Sequence, residues 1–197
     1  SGSQQALDYL GKLFLSPGDT ALVSWPTYMG ALGAFNPYEP RYDQLSVDGN
    51  RAATDYAHEA KAAGGAVKFA YLSVDFANPT GETVDLRGRE AALDMAEELD
   101  CAVIEDAAYQ ALRYDGQDVP PILALELARK GVLEACRTIY SGSFSKTLSP
   151  GLRVVVSQIK SAQDWYFSCR SARIFFCSSS KLRPSTRAGR LGSFLIL

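Results

Sequence analysis

The sequence predicts an α/β fold in which a mostly parallel sheet is covered by helices on both faces. Short apolar segments alternate along the chain with segments whose apolar residues recur at helical spacing, and short turns join them. The apolar segments at residues 67–74 and 101–106 read as strands buried on both faces, which are typical of parallel sheets. Strands that alternate with helices through short connections form such sheets.

The first half of the chain alternates predicted helices with predicted strands. The turn Ser16-Pro17-Gly18-Asp19 ends the first helix, and Gly64-Gly65 stops the third. We expect His58, which lies among charged residues on the third helix, to be a solvated side chain. The expected boundaries are helix 6–15, strand 20–25, helix 26–35, strand 41–47, helix 51–63 and strand 67–74.

The second half continues the same alternation. Asp85 is the expected N-cap of a helix at residues 86–99. The apolar face of that helix consists of Leu86, Ala92, Leu93, Ala96 and Leu99. Strand 101–106 ends in two carboxylates, Glu105 and Asp106. The remaining expected elements are helix 123–130 and strands 138–141 and 152–156.

Length and composition describe an ordinary globular protein. The chain has 197 residues, of which 47% are hydrophobic and 21% charged, enough for one domain with a core. No apolar run approaches the roughly 20 residues that a membrane span needs, and no secretory signal is present, so we expect a cytoplasmic protein. The cysteines fall at no metal-ligand spacing and are expected to be free thiols in a reducing cytosol, with no metal bound; they are Cys101, Cys136, Cys169 and Cys177.

The segment at residues 141–153 combines a lysine with phosphate-binding side chains. Lys146 lies among small hydroxyl residues, and Arg153 follows it across a Pro-Gly turn. A lysine amine can form an imine with a carbonyl compound, and catalytic lysines are usually desolvated or near other cations. Ser143, Ser145 and Arg153 offer the donors that hold a phosphate. The segment therefore predicts a phosphate ester that carries a carbonyl group.

Residues 143–146 also match Ser-x-x-Lys, the nucleophile signature of serine acyl enzymes. In that class the serine opens a helix and the lysine lies one turn further on. Pro150 would break such a helix four residues after the lysine. The sequence contains neither a Ser-Asp-Asn nor a Lys-Thr-Gly triplet. We therefore do not favour this class.

Three polar groups follow predicted strands at their carboxyl ends: Asn78, Asp106 and the loop at residues 143–146. Ligands of parallel sheets bind beyond the carboxyl ends of the strands, so we expect these groups to converge. Glu105 is the weaker candidate, since alternation along the strand turns it to the face opposite Asp106.

Five separated motifs together resemble the large domain of the class I and II aminotransferases of fold type I, which use pyridoxal 5'-phosphate. The motifs are residues 1–5, 26–28, 78–81, 105–109 and 143–153, in the order of the family. The resemblance covers the chain to about residue 154. The first and last motifs look most like the branch that acts on 2-aminoadipate, kynurenine, aromatic and branched-chain amino acids. The resemblance implies transamination of an amino acid with a 2-oxo acid through a lysine Schiff base.

The resemblance implies a role for each matched residue. Lys146 would hold the cofactor as an imine and, once freed, carry a proton. Asp106 would face the pyridine nitrogen and keep it protonated. Asn78 and Tyr109 would hydrogen-bond the phenolic oxygen, and Tyr28 would stack on the ring. The catalytic residues implied are therefore Lys146, Asp106 and Tyr109.

The resemblance also implies a cup for the cofactor phosphate. Free backbone N–H groups at the N-terminus of the first helix suit an anion, and the serines and Arg153 of the last motif would complete the cup. The cofactor-binding residues implied are Gly2, Ser3, Gln4, Tyr28, Asn78, Asp106, Tyr109, Ser143, Ser145, Lys146 and Arg153.

A second functional class shares this resemblance. Some transcription regulators place a winged-helix DNA-binding module ahead of an aminotransferase-like effector-binding domain. They commonly have a different residue at the position of Asn78 and an Asp-Asp-Tyr type motif in place of residues 105–109. The residues present here favour the enzyme. Its expected partners are amino acid and 2-oxo acid substrates and, in the full-length protein, a second copy in a homodimer, with no nucleic acid and no membrane.

The composition changes near residue 156. Residues 1–155 carry 13 Lys and Arg against 21 Asp and Glu, a net charge of −8, whereas residues 156–197 carry 7 against 1, a net charge of +6. We expect residues 1–155 to be a partial cofactor-binding large domain and residues 156–197 to be a non-matching basic tail. A frameshift, a wrong splice or a misjoined assembly would produce such a tail, and a genuine, partly disordered extension is the alternative. In the family the arginine that clamps the substrate carboxylate lies in a small domain that the tail does not match, so we expect an incomplete or inactive fragment.

Overall fold

The computed structural model describes residues 2–46, 49–149, 155–158, 176–177 and 194–196. Its helices are α1 (Ser3–Phe14), α2 (Met29–Phe35), α3 (Ala53–Ala62), α4 (Leu86–Glu98) and α5 (Ile122–Lys130). Its strands are β1 (Thr20–Val23), β2 (Arg41–Gln44), β3 (Val67–Ser73), β4 (Ala102–Asp106), β5 (Thr138–Ser143), β6 (Val155–Gln158), β7 (Phe176–Cys177) and β8 (Phe194–Ile196).

The described strands form a single sheet in the order β2-β1-β3-β4-β5-β6-β8-β7. The first five strands in this order pair parallel with one another. The last three pair antiparallel, with β6 joined to β5. The predicted mostly parallel sheet is confirmed, and its parallel part carries the helical connections.

Helices cover both faces of the parallel part. On one face α3, α4 and α5 pack on residues that include Leu22, Leu72 and Val103. On the other face α1 and α2 pack on residues that include Phe69 and Ile104. Successive strand residues point to opposite faces, so each strand contributes to both clusters. This layering leaves the carboxyl edge of the sheet as the open side.

Several element boundaries differ from the prediction. The helix predicted from residue 26 begins at Met29, since Tyr28 is an extended N-cap. Leu86, assigned to the apolar face of α4, is 45% exposed. It is the first residue of the helix and lies outside the apolar cluster that encloses Ala92, Leu93 and Ala96. The predicted cap is confirmed, because Gly88 N donates to Asp85 Oδ1 at 2.8 Å.

Other expectations concern single residues. His58 is exposed, as predicted. Cys101 and Cys136 are buried and form no disulfide with any described residue, and burial raises the pKa of Cys101 to about 12. None of the helices that the structure describes is long and apolar enough to span a membrane. The tail at residues 156–197 lies largely outside the described residues, as do Arg153, Cys169 and part of the strand predicted at 152–156, so these assignments stay predictions.

A buried ion network holds the strand ends together behind the carboxyl edge. Arg89 on α4 is fully buried and donates to Asp75 Oδ1 at 2.9 Å, while Arg113 donates to the same oxygen at 2.7 Å. Arg89 also donates to the carbonyls of Val84 and Pro120. The network therefore joins α4 to the segments that follow β3 and precede α5.

We expect Arg89→Met to lower the free energy of unfolding by about 3–5 kcal/mol, because it leaves buried acceptors without a donor. Arg51→Met is the matched control, since Arg51 makes two ion pairs but its side chain is 38% exposed. The control should lose less than about 1 kcal/mol. Urea unfolding measures both values, and equal losses would contradict a special role for the buried network.

Candidate functional site

The predicted site residues meet at the carboxyl edge of the parallel strands. Ser73, Asp106 and Ser141 are aligned across β3, β4 and β5, so the carboxyl ends of these strands lie close together. A cavity of about 140 Å³ opens there. Its lining residues are Gly2, Ser3, Gln4, Tyr28, Ser73, Asn78, Asp106, Ala108, Tyr109, Ser143, Ser145 and Lys146. Ten of the eleven predicted cofactor-binding residues thus line one cavity, and Arg153 lies outside the described residues.

The N-terminus of α1 forms one end of the cavity. Gly2 is the N-cap and has φ 87°, a left-handed value that favours glycine. Gln5 N donates to Gly2 O at 3.0 Å, whereas the N–H groups of Ser3 and Gln4 have no helical carbonyl four residues earlier. The Gln4 side chain donates to Gly30 O at 2.5 Å and ties α1 to α2. The side-chain bond holds Gln4 in place, and its backbone N–H in the first turn of α1 can bind a ligand.

The loop after β5 lies beside this helix end. Ser145 N donates to Ser143 Oγ at 3.2 Å, which leaves the Ser143 hydroxyl proton available to a ligand. Leu148 N donates to Phe144 O at 2.9 Å and closes the turn that carries Lys146. The Lys146 residue is exposed, and its Nζ lies 5.7 Å from the ring centroid of Tyr109. Lys146 thus lines the cavity at a solvent-exposed position.

The Asp106 carboxylate forms the buried end of the cavity. Tyr71 Oη donates to Asp106 Oδ2 at 2.8 Å. Asp106 Oδ1 is also buried, and among the described residues it has no hydrogen-bond partner. Burial raises the pKa of Asp106, while the hydrogen bond from Tyr71 opposes that rise, as does the nearby backbone N–H of Ala108, which lies outside hydrogen-bond geometry. A buried acceptor without a donor fits a ligand that presents an N–H group at this point.

Glu105 lies on the opposite face of the sheet, as alternation predicts. Its two carboxylate oxygens accept from Ile122 N at 2.8 Å and Leu123 N at 3.1 Å, at the N-terminus of α5. Burial raises the pKa of Glu105, and those two backbone N–H groups act against the rise. Glu105 is therefore occupied by α5 and does not reach the cavity.

Three further predicted residues surround the middle of the cavity. Tyr28 is half-buried and its ring folds over Gly30, where an added Cβ would overlap the ring. Asn78 is exposed in a loop closed by the hydrogen bond from Ala77 N to Glu82 O at 2.8 Å. Tyr109 is half-buried just after β4.

Sequence reasoning missed Ser73, Ala108 and Tyr71. Ser73 and Ala108 line the cavity, and Tyr71, which lies outside it, donates a hydrogen bond to Asp106. Ser73 is the last residue of β3, so the rule that ligands bind at the carboxyl ends of parallel strands, which selected Asp106, could also have found it. Tyr71 gives no comparable signal, since an aromatic residue within an apolar strand reads as core.

The cavity combines donors and acceptors of different chemical kinds. The N-terminus of α1 and the Ser143 hydroxyl suit an anion at one end. Asp106 Oδ1 suits a cationic N–H at the other end, and Lys146 provides an amine between solvent and cavity. These are the requirements of a phosphorylated ring that carries a carbonyl group.

The fold and the cavity define an α/β domain with a polar cavity beyond the carboxyl ends of its parallel strands, which is where sheets of this kind bind ligands. The model of the aminotransferase class I and II family matches residues 1–188, and the chain belongs to that family. It is 40% identical over 158 residues to aromatic-amino-acid aminotransferase 1 of Thermococcus litoralis, a match that covers 78% of this chain and 36% of the relative. It is 42% identical over 155 residues to 2-aminoadipate transaminase of Thermus thermophilus, covering 78% and 38% respectively.

Solved structures agree with these relatives. Pyrococcus horikoshii kynurenine aminotransferase, crystallised with PMP, KYN as substrate and KYA as product, superposes with a TM-score of 0.66 at 43% identity. The match covers 78% of this chain and 37% of that one.

An HTH-type transcriptional regulator of Bacillus subtilis is 30% identical over 154 residues, covering 78% of this chain and 30% of the regulator. The chain thus spans a little over a third of the length of the aminotransferases it matches.

The raised pKa of Asp106 predicts that the stability of the ligand-free protein depends on pH. The folded protein holds a proton that the unfolded chain has released, so stability falls as the pH rises from about 4 through the raised value. We expect ligand-free Asp106→Asn to be more stable than the wild type at pH 7, and this advantage to vanish below about pH 4. Thermal unfolding at several pH values measures the difference.

Asp94→Asn is the control, because Asp94 is 60% exposed and pairs with Arg129 on the surface. It should show no gain at pH 7. An Asp106→Asn variant that is less stable than the wild type by the same amount at every pH would contradict a raised pKa of Asp106.

Proposed function

We propose that this chain is the cofactor-binding part of an aminotransferase that uses pyridoxal 5'-phosphate to move an amino group between an amino acid and a 2-oxo acid. The observation that supports this most directly is the shared cavity. It combines a lysine, a helix N-terminus with hydroxyl donors, and a buried carboxylate oxygen that lacks a donor. The family and the three aminotransferase matches support the same reaction class.

The cavity offers a separate group to each part of the cofactor. The backbone N–H groups of Ser3 and Gln4 and the Ser143 hydroxyl would bind the phosphate, with Arg153 as a further proposed contact. Each charge-assisted hydrogen bond is worth about 1.5–3 kcal/mol, and the helix N-terminus adds roughly 0.3–2 kcal/mol. Asp106 Oδ1 would accept the proton of the ring nitrogen.

Lys146 would attach the cofactor covalently through Nζ. When bound, the cofactor supplies an electron-withdrawing ring that makes the α-proton of the substrate acidic. The Lys146 amine, once released, would take that proton from the α-carbon of the substrate and deliver it to the carbon of the cofactor that had carried the carbonyl group. Its position at the exposed mouth of the cavity supports this role, because substrate must arrive from that side.

The remaining groups would orient the ring. Tyr28 would stack on one face of it, and Gly30 supports this because it leaves room for the Tyr28 ring. Asn78 and Tyr109 would bind the phenolic oxygen, and Ser73 also lines this cavity.

The names of the relatives support a substrate group. They act on aromatic amino acids, 2-aminoadipate and kynurenine, and we propose that the whole protein uses amino acids of this group. We further propose residues 1–155 as the cofactor-binding unit, residues 156–197 as a separate tail, and a homodimer as the full assembly. Cys101 and Cys136, which form no disulfide with any described residue, support a reducing compartment such as the cytosol.

An effector-binding domain of a transcription regulator is the second candidate. The 30% identity to the HTH-type regulator of Bacillus subtilis favours it. Both candidates would bind the cofactor, so binding alone does not separate them. An enzyme converts the bound cofactor to its amine form when an amino acid is added and back to its aldehyde form when a 2-oxo acid is added, whereas a sensor retains the aldehyde form. A helix-turn-helix segment upstream in the gene would favour the regulator.

Lys146→Ala should abolish the covalent attachment of pyridoxal 5'-phosphate. We expect the wild type to show a visible absorbance band with the cofactor, and borohydride reduction to leave a labelled peptide that contains residue 146. Lys130→Ala is the control, since Lys130 pairs with Glu97 on the surface and does not line the cavity. An absorbance band that survives in Lys146→Ala would rule out this lysine as the attachment point.

Ser143→Ala should weaken phosphate binding selectively. We expect about a tenfold loss of affinity for pyridoxal 5'-phosphate, as for a lost hydrogen bond to a charged group, and little change for pyridoxal, which has no phosphate. Ser46→Ala is the control, because Ser46 lies away from this cavity. Equilibrium titration measures the affinities, and equal losses for both compounds would contradict a phosphate contact.

A further inference from the structure

The hydrogen bond beneath Asp106 comes from a tyrosine that lies outside the cavity. Tyr71 is on β3, and its side chain is fully buried. Its ring contacts that of Phe35, with the centroids 5.8 Å apart and the planes at 76°. It belongs to the apolar cluster that also contains Phe69 and Ile104. Because the ring is enclosed, its hydroxyl has little freedom to move.

The strand register explains why this hydroxyl meets Asp106. Tyr71 is aligned with Ile104 on β4, and Ser73 is aligned with Asp106. The phenol therefore reaches diagonally toward the carboxyl edge, a distance that long side chains on neighbouring strands can cover. The result is the 2.8 Å hydrogen bond from Tyr71 Oη to Asp106 Oδ2.

This bond makes the two oxygens of Asp106 unequal. Oδ2 is satisfied by the protein, whereas Oδ1 is buried and has no donor among the described residues. Rotation of the carboxylate would break the bond to Tyr71, so the bond also fixes which oxygen remains for a ligand.

Tyr71 also acts on the charge of Asp106. A donated hydrogen bond stabilises the carboxylate and opposes the rise in pKa that burial causes. Burial and the neighbouring Asp106 raise the pKa of Tyr71 well above its usual value, so its hydroxyl keeps its proton and remains a donor.

We propose that Tyr71 is a positioning residue for the ring nitrogen of the cofactor. It holds Asp106 by Oδ2 so that Oδ1 is presented, as an anion, to the N–H of a pyridinium ring. The inference rests on the proposed function, since it needs a cofactor of this class, and it adds a group that does not itself contact the cofactor.

The test compares two cofactors in the full chain. Pyridoxal 5'-phosphate has a ring nitrogen, and its 1-deaza analogue has a C–H in its place, so only the first needs the Asp106 anion. We expect the wild type to bind pyridoxal 5'-phosphate more tightly than the analogue. Tyr71→Phe should weaken binding of pyridoxal 5'-phosphate by about tenfold, as for a lost hydrogen bond to a charged group, and leave the affinity for the analogue unchanged.

The analogue also serves as the folding control, because an unfolded variant would bind neither compound. Tyr38→Phe is the matched control for the substitution. Tyr38 Oη donates to Asp8 Oδ1 at 3.2 Å, and neither residue lines the cavity. Both affinities should therefore match the wild type.

Asp106→Asn gives an independent check by a double-mutant cycle. It should remove the preference for pyridoxal 5'-phosphate, and Tyr71→Phe should then change the ratio of the two affinities no further. Additive effects would overturn the proposal, because Tyr71 would then act without Asp106.

The other outcomes also decide the question. If Tyr71→Phe loses affinity equally for both compounds, Tyr71 is only a packing residue and the proposal is overturned. If the variant loses affinity for neither compound, the proposal is also overturned. A wild type that binds both compounds equally would overturn it together with the role of Asp106, while leaving attachment at Lys146 intact. A wild type that binds neither would overturn the proposed function itself.

Discussion

The site depends on the cost of burying a carboxylate at the end of an apolar strand. An ionised carboxylate without partners is strongly destabilised in a low-dielectric interior. Two such groups, Glu105 and Asp106, stand next to each other at the end of β4. The structure places them on opposite faces of the sheet and supplies both oxygens of Glu105, but only one oxygen of Asp106, with donors.

Glu105 receives both of its hydrogen bonds from the protein. The N-terminus of α5 donates two backbone N–H groups, and Arg89 lies 4.0 Å away. Asp106 receives one donor from Tyr71 and keeps one oxygen without a partner among the described residues. The first carboxylate therefore fixes the position of α5, and the second retains an unmet requirement that a ligand can fulfil. The unpaired oxygen of Asp106 lowers the stability of the ligand-free protein. Functional sites often retain such unsatisfied groups, so this loss agrees with a binding role.

The phosphate end of the cavity follows a different principle. No buried charge is needed there, because the first turn of α1 leaves backbone N–H groups without helical acceptors. Gln4 contributes to this end indirectly, since its side chain bonds Gly30 and holds α1 against α2. The same contact lies next to the Tyr28 ring, so the helix end and the proposed stacking residue are fixed as one unit.

The sequence by itself determined the fold class, the approximate element order and ten of the residues that line the cavity. Local patterns carry this information, because strand and helix periods, turn residues and the rule on strand ends depend on neighbours in the chain. Only the tertiary structure decided that Tyr71 lies beneath Asp106, that Lys146 is exposed, and that Leu86 lies off the core. The physical reason is that strand register and helix packing set these contacts. A tyrosine or a leucine in an apolar segment has the same local pattern whether its neighbours enclose it, bond it or leave it in solvent.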